Sequence, residues 1–221
     1  MPVVPLSDAT RRPAHFPFVT VFLIAANGFV FLRELSGGDG FVQKWCVVPA
    51  DIAAGHHWIT LLTSMFMQGS WSHIIGNMVF LWAFGPEIED SMNPLRYAVF
   101  YLLGGVAAML AQVAFSPAST IPSLGASGAI AAVMGAFLVT YPRDRIRSLL
   151  FLLITVRVTF IPAALLIGFW FLIQLFSVGA VADVETGGVA YMVHVGGMIF
   201  GAITARFFED RRRMEENELE Q

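Results

Sequence analysis

Apolar stretches of about 20 residues recur along most of the chain, each long enough to cross a hydrocarbon core of about 30 Å. The first spans about Phe16 to Leu32 and is ended by Arg33, Glu34 and the run Ser36-Gly37-Gly38-Asp39-Gly40. The second covers His73 to Phe84 and continues to Asp90 through Glu87-Ile88-Glu89-Asp90, an acidic run expected to be a solvated helix end. The third runs from Leu95 to Phe115. Pro117 and Pro122 mark a short loop, Ser127 opens a fourth span, and Tyr141-Pro142 closes it. Leu149 to Val156 is apolar but too short to cross, so it is expected at the interface. A fifth span follows over Val158 to Val178 and a sixth over Val189 to Phe208. The long connection Phe41 to Ser72 mixes Trp45, Trp58, Phe66 and Trp71 with polar residues. It reads either as a loop lying in the membrane interface or as an ordinary amphipathic connector.

These elements predict an all-α, polytopic membrane protein: a six-helix bundle with a long interfacial first outer loop. The divisions are a segment 1–15, a membrane domain 16–208 and a charged tail 209–221, helical or disordered. Composition agrees, with 57% hydrophobic residues and only 13% charged, where a soluble domain carries about a quarter. Mean hydropathy is +0.70. The net charge of −3 and scattered cations make nucleic acid an unsuitable partner. Cys46 is the only cysteine, which excludes an internal disulfide or a multi-thiolate metal site. The polar start, Met1 to Arg12, leads into an apolar span with no small-residue cleavage site, so no removable signal peptide is expected. With six spans, Arg11, Arg12, Arg96, Arg143, Arg145, Arg147, Arg206 and Arg211 to Arg213 share one side, against Arg33 and Lys44 on the other. The positive-inside rule then makes both termini cytoplasmic.

The even-numbered spans all start from the outer face, so their first polar residues meet at one depth. Span two carries His73 and Asn77 on one helical face. Span four starts at Ser127 within Gly125-Ala126-Ser127-Gly128, and span six carries His194 near its start. From Ser127 to Tyr141 is 14 steps, roughly 21 Å at about 1.5 Å per residue, so Ser127 is expected roughly 9 Å below the outer interface. Hydrolysis there requires a water-filled recess. A serine at a helix start lies beside unpaired backbone N–H groups that favour an oxyanion. His194 is positioned to act as its general base, with His73 and Asn77 as oxyanion donors. His194, Gly197 and Gly201 share a face, a small-residue groove expected to receive span four through Gly128 and Gly135.

Each motif alone has a plainer explanation: a capping serine, a packing groove, or polar groups satisfying a loop. Together, costly polar residues inside a membrane point to function. His15, His56 and His57 lie in flanking or loop regions and receive no role. A small transporter would use midplane sites, unlike the shallow depth here. A soluble hydrolase elbow has Gly-x-Ser-x-Gly, whereas Gly128 follows Ser127 directly.

The segments His73-Ile74-Ile75-Gly76-Asn77-Met78, Phe84-Gly85 with Glu87 and Glu89, Gly125-Ala126-Ser127-Gly128-Ala129-Ile130, and His194-Val195-Gly196-Gly197 with Gly201 occur in one order across nearly the whole chain. In this the sequence resembles the rhomboid intramembrane serine proteases of the basic six-helix prokaryotic type. The resemblance implies a dyad of Ser127 and His194 without a third acidic member, and an oxyanion hole of His73, Asn77 and the Ser127 backbone N–H. It implies no cofactor and no metal. The substrates it implies are membrane-anchored proteins with a transmembrane segment, cut near the outer face of a prokaryotic plasma membrane, with a lateral route between helices two and five. The chain departs from the family pattern at Ile59, Gln68 and Ala131. Ala131 replaces an aromatic that often stacks under the base, and Gln68 replaces a histidine, weakening the network expected there. A catalytically silent rhomboid-like protein that binds transmembrane clients is the alternative; such relatives are expected to lack the serine or histidine, and both are present.

Overall fold

The computed structural model describes residues 3–151, 155–181 and 191–219. A strand β1 (Val3–Asp8) precedes a long helix α1 (Phe18–Trp45). The connection after it holds short helices α2 (Pro49–Ala53) and α3 (Thr60–Thr63) and a 3-10 turn at Ser64–Phe66. Then come α4 (Trp71–Met92), α5 (Pro94–Phe115) and α6 (Ser127–Thr140), a hairpin of β2 (Arg145–Phe151) and β3 (Val156–Pro162), and α7 (Ala163–Val181), α8 (Tyr191–Phe208) and α9 (Arg211–Leu219).

Helix dominates, and α1, α5 and α8 are long and apolar enough to cross a membrane by length and composition. Their outward side chains are large and apolar: Phe18, Phe22 and Phe29 on α1, Leu95 on α5 and Phe207 on α8 are all more than half exposed. A soluble surface does not present so much contiguous hydrocarbon. The interior is apolar too, built around Phe84, Tyr97, Phe100, Tyr101 and Phe137, all fully buried.

Three expectations change. The protein is not purely α-helical, because β1, β2 and β3 form an antiparallel sheet in that order. The apolar run from Leu149 enters β2, whose alternation of exposed and buried positions is a strand pattern that a single apolar stretch conceals; residues 152–154 of that run lie outside the described residues. The start of the sixth span, Val189 and Ala190, also lies outside them. Second, the glycine run does not end the first helix. The chain stays helical to Trp45, with a break at Gly38, where φ of 60° suits glycine.

Third, the acidic end of α4 is buried rather than solvated. Glu89 accepts hydrogen bonds from the backbone N–H of Val19 and Thr20 and from the Thr20 hydroxyl, at 2.8 Å each. It thereby satisfies the unpaired donors at the start of α1, the work of a capping carboxylate supplied from another helix. Asp90 accepts from Ala14 N–H and His15 Nδ1 at 2.9 Å and meets Arg213 from α9 at 3.5 Å. The tail therefore docks: Asp210 N–H donates to the Ser91 carbonyl at 2.8 Å.

These bonds gather β1, the ends of α4, α6 and α8, the starts of α1, α5 and α7, and α9 at one end of the bundle. β1 is held there by its pairing with β2 and ends at the buried Asp8. Its Oδ1 accepts from Thr10 N–H at 2.6 Å, while Oδ2 is buried without a hydrogen-bond partner among the described residues. Burial, reinforced by the neighbouring Asp144 carboxylate, pushes the Asp8 carboxyl from its ordinary 3.8 up to about 7. The fold thus favours protonated Asp8, and its docking weakens as pH climbs from about 4 to about 7. Amide exchange over Val3–Asp8 should accelerate across that range beyond the intrinsic rate, and Asp8→Asn should remove the excess. An unchanged pH profile in the variant would contradict this account.

Candidate active site

α6 begins at Ser127, the first helical residue, after Gly125 and Ala126. Among the described residues the first turn of α6 receives no side-chain cap, from Ala126 or from Ser127. Ser127 Oγ instead lies 2.8 Å from His194 Nε2 on α8. Ser127 and His194 stay partly exposed while α6 is buried from Gly128 to Phe137.

The approach of α6 to α8 permits this contact. A Cβ on Gly197 would strike the Gly128 carbonyl, one on Gly201 the Ala132 carbonyl, and one on Gly135 the Met198 carbonyl. Three glycines thus bring two backbones together where any side chain would separate them. Gly128 itself faces Val193 and Ala108, whose side chains fill the space a Cβ would need.

Gly125 has φ of 131°, which favours glycine, and its added Cβ would lie 2.9 Å from His73 Cε1, 3.1 Å from His73 Nε2 and 3.6 Å from Ser127 Oγ. The imidazole of His73 therefore borders the serine. Its Nδ1 accepts the Gly69 N–H at 3.1 Å, which makes Nε2 the protonated nitrogen, on the Gly125 side. Gly125 N–H donates to the Ser64 carbonyl at 2.9 Å, tying this turn to the first connection.

Asn77 is buried one turn further along α4. Its Nδ2 donates to Gln68 Oε1 at 2.7 Å, Gln68 Nε2 donates to Asn27 Oδ1 at 2.8 Å, and Gln68 N–H meets the Glu34 carboxylate at 3.0 and 3.1 Å. The network expected to be weakened by Gln68 is present, because a carboxamide both donates and accepts. It orients Asn77 and ties α4 to α1.

Two residues at the site went unnoticed in the sequence. Gln174 on α7, 8% exposed, presents Oε1 2.7 Å from His194 Nδ1. The Trp170 ring lies 5.4 Å from the His194 ring, between centroids, at 49°. The histidine thus has an aromatic neighbour from α7 although Ala131 supplies none. Gln174 could have been found as an isolated carboxamide within an otherwise apolar span. Among the described residues no group of three or more His, Cys, Asp or Glu could hold a metal ion.

Comparison with known proteins gives a consistent result. The sequence pattern of the rhomboid domain matches residues 55–210. The chain is 28% identical to rhomboid protease GluP of Bacillus subtilis over 192 residues, 85% of this chain and 34% of the relative. It is 26% identical to the mitochondrial rhomboid protein 1 of Saccharomyces cerevisiae over 188 residues, 82% of this chain and 50% of the relative. With the mitochondrial presenilin-associated rhomboid-like protein of Rattus norvegicus it shares 28% over 194 residues, 81% of this chain and 45% of the relative. The chain spans half or less of the length of these relatives. They divide between bacterial and mitochondrial proteins, so a prokaryotic plasma membrane does not follow from them.

The glycine contacts give a direct stability test. Gly201→Val should lower the melting temperature in detergent, at a cost of about 1–3 kcal/mol or more from overpacking. Gly28→Ala on α1, whose Cβ would meet nothing within 4 Å, should be neutral or stabilising by up to about 1 kcal/mol. Equal melting temperatures for the two variants would refute the close approach of α6 and α8.

Proposed function

The chain belongs to the rhomboid family, and we propose that it is a serine-type peptidase cutting membrane-anchored proteins within or beside their transmembrane segments. The observation that carries this reading is the 2.8 Å contact between Ser127 Oγ and His194 Nε2. We read α1, α4, α5, α6, α7 and α8 as six spans. The gathering of alternate helix ends at the sheet supports that count, as do the exposed aromatic and aliphatic side chains. Both termini then share the arginine-rich side, which Arg157 of β3 joins.

In the proposed reaction His194 Nε2 takes the Ser127 Oγ proton as the oxygen attacks the scissile carbonyl carbon. The resulting oxyanion is met by Ser127 N–H at the start of α6, by His73 Nε2–H and by the Asn77 carboxamide. Collapse breaks the C–N bond, and the imidazolium returns its proton to the leaving amine. Water then attacks the acyl-serine as His194 accepts its proton, and collapse breaks the C–Oγ bond, the imidazolium returning the proton to Ser127 Oγ as the new acid leaves. Water is the second substrate, and no cofactor is needed. A peptide bond in a helix is shielded by its own hydrogen bonds, so a glycine or proline near the cut should ease its presentation.

Cleavage of a single-span substrate in liposomes should fall by about 1,000-fold or more in Ser127→Ala and in His194→Ala. It should fall about 100- to 1,000-fold in kcat in His73→Ala or Asn77→Ala. Undiminished cleavage by Ser127→Ala would exclude this nucleophile, and a silent wild type that still binds the substrate would instead favour a client-binding protein.

A further inference from the structure

Two side chains of α7 meet His194. Gln174 Oε1 faces Nδ1 at 2.7 Å, and Trp170, one turn earlier, packs against the ring. With Ser127 Oγ on Nε2, both imidazole nitrogens are engaged. An acceptor on Nδ1 holds the proton there and leaves the Nε2 lone pair facing the hydroxyl, the tautomer a general base requires. We infer that Gln174, backed by Trp170, is a positioning residue that sets the tautomer and orientation of His194, so that base strength depends on where α7 sits. This rests on the peptidase reading of Ser127 and His194.

The placement has a physical consequence. The opposite face of α7 exposes Leu165, Phe169, Leu172 and Phe176. The polar side chain is buried in a helix otherwise composed for lipid contact, a cost that a hydrogen bond to the base offsets. During turnover the imidazole becomes positively charged, and the Gln174 carbonyl dipole remains pointed at its Nδ1–H. A neutral acceptor holds the ring without fixing a full charge beside it, which keeps the base free to release its proton to the leaving amine.

The test compares Gln174→Met, which keeps length and loses the acceptor, with Gln174→Glu, which keeps an acceptor and adds charge. In Gln174→Met, kcat for a single-span substrate should fall about 10- to 100-fold with KM within about twofold, the scale of removing a partner that orients a working histidine. In Gln174→Glu, a carboxylate beside the imidazolium stabilises the charged form. The acid limb of kcat/KM against pH should therefore move to higher pH, with cleavage retained above it. Wild-type kcat in Gln174→Met, or an unmoved acid limb in Gln174→Glu, would overturn the inference. Should Gln174→Met unfold at a lower temperature than wild type, the pH limb of Gln174→Glu decides alone. Failure of the peptidase reading is separate: it would appear as cleavage by Ser127→Ala, whatever Gln174 does.

Discussion

Everything at the candidate site depends on two helices approaching until their backbones touch. α6 and α8 meet through Gly128, Gly135, Gly197 and Gly201, with carbonyls of one helix against the glycines of the other. Only this spacing lets a short side chain such as serine reach an imidazole on the neighbouring helix without a bridging group. In a bilayer, where lipid competes equally well for apolar surface, such contact comes from shape and small residues rather than from the hydrophobic effect. The shortness of α6 follows the same logic. Buried over most of its length, it can begin and end inside the protein, and its free N–H groups then open toward Ser127.

Around this contact the polar groups are organised as two separate networks at opposite ends of the bundle. At one end Asn27, Glu34, Gln68 and Asn77 link α1, the first connection and α4 behind His73. At the other, Glu89 and Asp90 secure the start of α1, the N-terminal segment and α9. The carboxamides and carboxylates of these networks are buried together with hydrogen-bond partners, as a low-dielectric environment demands, whereas Oε2 of the neighbouring Glu87 has none among the described residues. The sheet lies at the same end, and β3 runs directly into α7. The helix that carries Gln174 is thus anchored by backbone pairing at its start.

Much of this was legible from residue type and spacing. Long apolar runs marked the helices, and the glycine intervals after His194 marked a face for close approach. The serine at a helix start and the histidines at one depth marked the candidate chemistry. What escaped the sequence has specific causes. β1 and β2 pair across more than a hundred residues, and no local pattern announces a partner that distant. The acidic run looked solvated because burial of Glu89 depends on donors at Val19 and Thr20, which only the packing brings near. Gln174 and Trp170 were hidden for the same reason, in a span whose role in supporting His194 depends on its placement beside α8. The network at Gln68 is not legible from residue type alone, because a carboxamide supplies both the donor and the acceptor that it needs.

The nucleophilicity of Ser127 is measured by reaction of the purified protein in detergent with a fluorophosphonate, followed by mass spectrometry of the adduct. A single modified serine, Ser127, is expected, with loss of modification in His194→Ala while the fold stays intact. Modification of another serine, or of Ser127 at an unchanged rate without His194, would contradict it.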